Sequence, residues 1–188
     1  EVPHEGHHQD HGFASSSPVT DGEWVWAFFG SRGLHAYDFE GNLKWSKDLG
    51  RMRTRNAFGE GASPLLVGDT LVVNWDHEGD DFTAAFDKKD GRELWRQKRD
   101  EPTSWSTPLA VTHEGKTQVV VSATNRVRSY DLATGKLLWE SGGMTTNVIP
   151  SPITANGMVY AISGFRGNAL HAIKLGGSGD LTDSSSIA

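Results

Sequence analysis

A Ser/Thr-Pro pair recurs four times along this chain at an almost constant spacing. The intervals between successive prolines of these pairs are 46, 44 and 44 residues, and the prolines are Pro18, Pro64, Pro108 and Pro152. A fixed period of this length is typical of β-propellers and solenoids, in which each repeat is one supersecondary unit packed against its neighbours. The repeat therefore constrains the architecture before it indicates any functional site.

Each repeat contains the same series of β-strand signals. A short apolar run follows the Ser/Thr-Pro pair, and then come a two-residue turn and a run of β-branched and aromatic residues. The turns are Asp21-Gly22, Gly68-Asp69, Glu114-Gly115 and Asn156-Gly157, and the strand runs are 24–29, 70–75, 117–122 and 158–162. Two further strands complete a repeat, and no helical periodicity is sustained anywhere. The sequence predicts an all-β propeller built from four-stranded antiparallel blades.

The period also sets the predicted domain boundaries. Four blades are expected at residues 13–50, 51–101, 102–142 and 143–175. A histidine-rich segment, residues 1–12, precedes them, and a Gly/Ser-rich tail, residues 176–188, follows.

Three of the four repeats close on one phrase, in which an aspartate is followed by a glycine turn and a tryptophan. Its copies are Asp38 to Trp45 (one residue shorter in the turn), Asp87-Gly91-Trp95 and Asp131-Gly135-Trp139. The carboxylate can accept turn amides, the glycine adopts a backbone conformation that a Cβ resists, and the indole can reach the neighbouring blade. We expect these residues to be structural, and replacement of Trp139 with alanine to cost about 3–5 kcal/mol.

The phrase resembles the tryptophan-docking repeat of quinoproteins, the pyrroloquinoline-quinone (PQQ)-type β-propellers. The resemblance covers residues 13–175, although the fourth repeat has Lys174 where the phrase has aspartate and no tryptophan after it. It implies a ring of seven or eight blades. The family includes quinoprotein dehydrogenases and non-catalytic scaffolds such as the outer-membrane protein assembly lipoprotein, and many of its members are bacterial and associated with the cell envelope.

Four blades are about half of such a ring, so three interpretations are open. The chain is a fragment of a protein about twice as long, or it pairs with a second copy to close an eight-bladed ring, or it is a compact four-bladed propeller. An open ring exposes strand edges and blade faces, which natural proteins cover. A partner surface, supplied by self-association or by the remaining blades of a longer chain, is therefore expected.

Composition limits the classes of binding partner and the cellular compartments that are expected for this chain. A net charge of −6 and a pI of about 5.7 argue against nucleic acid, because phosphate binding needs a concentrated basic surface. The chain has no cysteine, which excludes a disulfide frame and a thiolate nucleophile, and no apolar run approaches the roughly 18 residues of a membrane span. Residues 1–10 lack the apolar core of a secretory signal. With the family resemblance, we expect a periplasmic or secreted protein, of which this chain is the mature form or a fragment.

The N-terminal segment is a candidate metal site. His4, His7, His8 and His11 stand with two carboxylates inside eight residues, and imidazole is a good ligand for Zn²⁺, Cu²⁺ and Ni²⁺. The alternative is a polar loop that packs across the tops of the blades.

The resemblance implies which cofactor, metal ligands and catalytic residues a quinone-dependent enzyme of this family would have. In the dehydrogenases PQQ lies on the ring axis with Ca²⁺ held by carboxylate and amide oxygens, an aspartate acts as general base, and a vicinal disulfide often covers the cofactor. The disulfide is ruled out by the lack of cysteine. Acidic candidates for the Ca²⁺ and base roles lie in one loop, and they are Asp76, Glu78, Asp80 and Asp81. Alternatively, this loop is a solvated hairpin tip.

Loops that enter the blades at equivalent positions are expected to line one face near the axis. The candidate ligand-binding residues there are Arg55, Asn56, Trp105, Asn125, Arg126, Asn147 and Arg166. A polar, cationic funnel of this kind suits an anionic ligand or the acidic part of a quinone. The alternative is that these residues cap backbone groups and bridge adjacent blades.

Taken together, these signals favour a non-enzymatic binding or scaffold module that recognises a protein or a small ligand on its axial face. The alternative function is a PQQ- and Ca²⁺-dependent oxidoreductase of alcohols or sugars. No catalytic residue is predicted, because no nucleophile elbow or phosphate loop is present.

Overall fold

A computed structural model describes residues 6–184 and has the all-β architecture predicted by the repeat. Blade one contains β1 (Val19–Thr20), β2 (Trp24–Phe28), β3 (Leu34–Asp38) and β4 (Leu43–Lys47). Blade two contains β5 (Leu65–Val67), β6 (Thr70–Trp75), β7 (Phe82–Asp87) and β8 (Glu93–Lys98). Blade three contains β9 (Leu109–His113), β10 (Lys116–Ser122), β11 (Arg126–Asp131) and β12 (Leu137–Gly142). Blade four contains β13 (Ile153–Ala155), β14 (Met158–Ser163) and β15 (Ala169–Lys174).

Each blade is an antiparallel meander, with strands paired in sequence order from the innermost to the outermost. In blades one to three the register between the third and fourth strands shifts directly after Ala36, Ala85 and Ser129. This bulge falls just before the aspartate of the repeated phrase, so it belongs to the repeat. A bulge increases local twist and redirects the strand that carries the tryptophan.

Hydrophobic cores lie between adjacent blades rather than within one blade. Trp26 and Phe28 of blade one pack with Trp75 of blade two, and Trp95 of blade two packs with Tyr130 of blade three. Between blades three and four, Trp139 is buried with a set of aliphatic residues that includes Val120, Val159 and Ile173. Because a sheet must bury its apolar face against another layer, each blade depends on its neighbours for stability.

A line of hydrogen bonds joins the inner strands at the Ser/Thr-Pro pairs. The Ser17 N–H donates to Ser63 Oγ (2.9 Å), the Ser63 N–H to Thr107 Oγ1 (3.1 Å), and the Thr107 N–H to Ser151 Oγ (3.1 Å). We call this line the serine belt. The belt explains the most constant feature of the sequence, because a hydroxyl at this position accepts the N–H of the preceding blade.

Blade four differs from the others in having three strands among the described residues. After β15 the chain turns back, and β16 (Gly179–Asp180) pairs in parallel with the outer strand of blade three. Leu181 is buried there in the core between blades three and four. Part of the predicted Gly/Ser-rich tail is therefore packed structure. Residues 6–184 contain no helix that is long and apolar enough to cross a membrane.

Candidate functional site on the loop face

Antiparallel pairing brings two sets of loops to the same side of the blades. One set connects each outer strand to the next blade (48–64, 99–108 and 143–152), and the other connects the second and third strands of each blade (29–33, 76–81, 123–125 and 164–168). We call this side the loop face. All seven candidate ligand-binding residues lie on it or at its edge, because alternate connections of a meander emerge on the same side.

The loop face rests on a buried ionic network between blades two and three. Arg99 Nε and Nη2 donate to the two carboxylate oxygens of Asp76 (2.6 and 3.2 Å), and Arg99 Nη1 donates to the Tyr130 hydroxyl (2.9 Å). Ser104 Oγ donates to Asp76 Oδ2 (2.6 Å), as does Asn74 Nδ2 (3.0 Å). A buried carboxylate needs such partners, since desolvation penalises an unpaired charge. Asp76 therefore has a structural role between the two blades.

Glu101 extends this network to the next blade. Its carboxylate accepts the backbone N–H groups of Asn125 (2.7 Å) and Arg126 (3.0 Å) and a guanidinium N–H of Arg128 (2.9 Å). Its own backbone N–H donates to Asp81 Oδ2 (2.7 Å). Burial raises the pKa of Glu101 to about 7, against the opposing effect of the nearby Arg99 charge. Burial likewise raises the pKa of Asp81.

A pH dependence of stability follows from Glu101. Between about pH 4.5 and 7 the folded protein keeps a proton that the unfolded chain releases. The contribution of Glu101 to stability is therefore full below this window and is lost as the pH rises through it. We expect the free energy of unfolding of the parent, minus that of Glu101→Gln, to fall across the window by at most about 1.4 kcal/mol per pH unit.

Urea unfolding at half-unit steps from pH 4 to 8 measures this difference. The half-buried Glu93 is the control, because Arg96 lowers its pKa and Glu93→Gln should give a difference that is flat above pH 5. A parent-minus-Glu101→Gln difference that stayed constant or rose with pH would contradict the assignment.

The acidic loop 76–81 does not fit a Ca²⁺-quinone site. Asp76 and Asp81 are buried and accept internal hydrogen bonds, and Glu78 Oε1 accepts the Thr103 N–H (3.2 Å) and hydroxyl (3.0 Å). In residues 6–184 no group of three or more His, Cys, Asp or Glu side chains is placed to hold a metal ion. The solvated-tip interpretation is correct only for Asp80, which is exposed, since the other three carboxylates bridge loops of the face.

Three of the candidate ligand-binding residues lie close to a small cavity between blades one and two. Trp105 lines this cavity of about 10 Å³, which has room for about one water molecule. Its indole N–H donates to the Gly59 carbonyl (2.8 Å), and the Arg55 backbone N–H donates to Thr103 Oγ1 (2.9 Å). Asn56, next in the chain, has a left-handed backbone (φ 53°). These contacts hold the entry loops of blades two and three together.

The other four candidates are spread along the face. Asn125 Nδ2 donates to the Asp100 carbonyl (2.8 Å), while Arg126 Nη1 reaches the outer edge and contacts Asp180 (2.9 Å) and Thr182 (2.9 Å). Asn147 has φ 60° and a buried Oδ1 with no hydrogen-bond partner among the described residues. Arg166 is exposed beside Phe165. The seven residues share a face but do not converge on one pocket, so their ligand role stays a prediction.

The histidine-rich segment packs on the loop face. His4 lies outside the described residues. The His8 backbone N–H donates to the Phe58 carbonyl (3.1 Å), the His8 ring lies against the Phe58 ring, and the His7 ring contacts Phe13 edge-on. His8 and His11 have ring centroids 5.6 Å apart. This placement matches the alternative of a loop across the blade tops, and metal binding by the segment stays a prediction.

Two features of the face gave no usable signal in the sequence. Glu60 accepts hydrogen bonds from the backbone N–H and the hydroxyl of Ser31, which joins the loops of blades one and two. Arg99, at the start of the loop that connects blades two and three, pairs with Asp76 in the loop between β6 and β7. Both pairs are distant along the chain and neither recurs in the other repeats, so a repeat pattern alone could not have identified them.

The repeated four-stranded blades define a class, the PQQ-like β-propeller repeat proteins. A family model described as "Outer membrane protein assembly factor BamB" matches residues 4–181. The chain therefore belongs to this family, and the resemblance found in its sequence is confirmed. Comparison with curated proteins gives no match.

Solved structures agree with the fold. BamB from Moraxella catarrhalis is 15% identical with a TM-score of 0.60 over 84% of this chain and 47% of that one, so the chain spans about half of its length. A europium-containing methanol dehydrogenase is 19% identical with a TM-score of 0.52 over 68% of this chain and 24% of that one. The computationally designed Ika4 protein is 14% identical with a TM-score of 0.62 over 94% and 100%. At these identities the similarity shows the fold alone.

Proposed function

We propose that this chain is a non-enzymatic binding module of the bacterial cell envelope that holds a protein partner on its loop face. The observation that supports it is a set of apolar side chains exposed on that face, each 44–60% accessible: Phe13, Phe29, Ile149 and Phe165. Exposed aromatic and aliphatic residues beside arginine are typical of protein-binding surfaces. Arg166 lies next to Phe165 and supplies such a pair.

The alternative, a PQQ- and Ca²⁺-dependent oxidoreductase, finds little support in the same face. Three of the four carboxylates that would bind Ca²⁺ or act as base are used in contacts between loops, and releasing Asp76 would leave Arg99 buried without its partner. The matching family model is named for outer membrane protein assembly, and one similar solved structure is a methanol dehydrogenase. These names describe those proteins, and they are the reason that both functions are considered for this chain.

Site-specific photo-crosslinking in a bacterial cell-envelope extract tests the proposal. A photoreactive residue at Ile149, on the loop face, is expected to give one protein adduct that excess unlabelled parent competes away. The same residue at Leu137, an exposed leucine on the outer strand of blade three, is the matched control and should give none. Equal labelling at both positions would contradict a binding role for this face.

A second measurement separates the two functions. We expect calorimetric titration of the protein with PQQ in excess Ca²⁺ to show no saturable heat, and dye reduction with alcohols or sugars to stay at the background rate. Saturable quinone binding together with alcohol-dependent dye reduction would establish the enzyme and overturn the proposal.

A further inference from the structure

A cleft of about 510 Å³ opens between blades one and two at the outer rim of the loop face. One wall is the chain that leaves β4, with Leu49 and Arg51. The other wall is one side of blade two, where Trp75 pairs with Phe82 and Phe82 pairs with Lys98. Directly opposed residues of antiparallel strands lie on the same side of a sheet, so these side chains form one surface. A cleft of this size can take several side chains of a ligand.

The cleft carries positive charge on a chain whose net charge is −6. Arg51, Arg96 and Lys98 line it, and all three are exposed. Lys98 makes no side-chain hydrogen bond or ion pair with the described residues. Two carboxylates also line the cleft, but Asp81 is buried and accepts a backbone N–H, so only Asp80 opposes the cations at the surface. Such a lining favours a ligand that carries carboxylates.

Arg96 is held over the aromatic floor of the cleft. Its guanidinium carbon lies 3.7 Å from the centre of the Phe82 ring, which stacks on the Trp75 ring at 5.5 Å. Glu93 accepts hydrogen bonds from Nε and Nη2 of Arg96, and Nη1 has no acceptor among the described residues. A stacked guanidinium loses little side-chain freedom when it binds a carboxylate. Arg96 therefore keeps an unused donor on an ordered group.

Blade three shows what occupies the equivalent place one repeat later. Arg96 and Lys98 hold the register positions of Glu140 and Gly142, since the outer strands of the two blades pair alike with the third strands. In blade three the chain's own residues 179–182 run along this outer strand. The Leu181 N–H donates to the Glu140 carbonyl (2.8 Å), and the Gly142 N–H donates to Thr182 Oγ1 (3.0 Å).

The segment along blade three brings a carboxylate to the rim of the loop face. Asp180 lies opposite Glu140 and accepts a hydrogen bond from Arg126 Nη1 (2.9 Å). Blade two has Arg96 at the position of Glu140, so an acidic residue placed there would face a cation and not another carboxylate. Opposite charges on neighbouring strands stabilise their pairing. Among the described residues no strand lies beyond β8, so this edge of blade two is open.

We propose that the cleft and the outer edge of β8 bind an acidic, extended segment of a protein partner. The segment lies along β8 as residues 179–182 lie along β12, and one of its carboxylates pairs with Arg96 and Lys98. This inference rests on the proposed function, because it names the chemistry of one segment of the partner that the loop face holds.

The test is an NMR titration of the uniformly ¹⁵N-labelled protein with a peptide of residues 178–184, acetylated and amidated at its ends. This probe carries Asp180 and Asp183 on the sequence that lies along β12 in the fold. We expect saturable shifts of the Lys98 amide and of the Arg96 side-chain Nε–H. The same peptide with both aspartates replaced by asparagine should leave these signals in place.

Two variants of the protein locate the site. Arg96→Gln combined with Lys98→Gln removes both cations of β8 and is expected to raise the Kd for the peptide about tenfold, the effect of losing two exposed ion pairs. Lys136→Gln is the matched control, since this exposed lysine directly precedes the outer strand of blade three. It should bind the peptide like the parent. Substitutions at exposed positions such as these change stability little.

Two results would overturn the proposal. One is that the asparagine peptide shifts the Lys98 amide as far as the aspartate peptide does. The other is that sodium acetate at the same carboxylate concentration gives the same shifts, which would make the cleft a general anion site. Both comparisons use the purified parent protein and do not involve the partner.

Failure of this inference is distinguishable from failure of the proposed function. A specific adduct at Ile149 without peptide binding would overturn the inference alone. Saturable peptide binding together with equal labelling at Ile149 and Leu137 would contradict the proposed function and leave the cleft as a site for acidic segments.

Discussion

Trp139→Ala is expected to lower the free energy of unfolding by about 3–5 kcal/mol, the range for deletion of a large buried aromatic side chain. Trp139 is 1% exposed and lies in the core between blades three and four, against Val159 and Ile173. Its indole N–H donates to Gln118 Oε1 (2.8 Å), so truncation also leaves that buried amide with one partner fewer. A loss of this size is a large part of the stability of a typical domain.

Guanidinium unfolding followed by far-UV circular dichroism measures this loss. Trp139→Phe retains most of the ring volume and loses the hydrogen bond, so it should cost less than Trp139→Ala and remains measurable if the alanine variant does not fold. Leu137→Ala, two residues away and exposed, is the control and should change stability little. If Trp139→Ala unfolds at the same denaturant concentration as the parent, the docking role of the repeated tryptophan is wrong.

Arg99→Met is expected to cost about 3–5 kcal/mol, because it leaves the Asp76 carboxylate buried without its counter-charge. Both side chains have no exposed surface, and their closest contact is 2.6 Å. The Tyr130 hydroxyl of the next blade also loses its partner, so the variant weakens the junction between blades two and three. Arg96→Met, which removes the partner of Glu93 at the surface, is the control and should cost about 0–1 kcal/mol.

A double-mutant cycle decides whether the effect comes from the pair. Arg99→Met combined with Asp76→Leu removes both charges and should recover much of the stability lost in the single variant, since apolar replacements of a buried ion pair are often neutral. If the double variant is as unstable as the sum of the two single variants, the cost lies in lost packing and not in an unpaired charge.

Much of the fold could be predicted because short sequence motifs that recur in each repeat specify its turns and strands. The Ser/Thr-Pro pairs predicted where each blade begins, and the structure shows that their hydroxyls form the serine belt. The run from Asp87 to Trp95 predicted a strand, a glycine turn and a second strand, and the structure has them at Phe82–Asp87 and Glu93–Lys98. Turn chemistry and strand propensity act over a few residues, so a single sequence is enough to reveal them.

The candidate site was predictable only as a face. Equivalent loop positions predicted Arg55, Trp105 and Asn147 on one side of the blades, and in the meander the loops that carry them emerge on the same side. Their side-chain partners were not predictable, because Arg126 turns outward to Asp180, a residue 54 positions further along the chain. Such contacts depend on how loops from different blades meet, and nothing local specifies that.

The sequence by itself determined the repeat, the strand order within a blade and the glycine turns, since these follow from backbone preferences and short-range periodicity. Only the tertiary structure decided which charged groups are buried. Asp76 and Glu101 look like surface acids in the chain, but packing of blade against blade removes them from water and gives them Arg99 and Arg128 as partners. Tertiary structure also decided that residues 179–181 pack along the outer strand of blade three. Burial of Leu181 in the apolar core there outweighs the weak strand propensity of a Gly-rich segment.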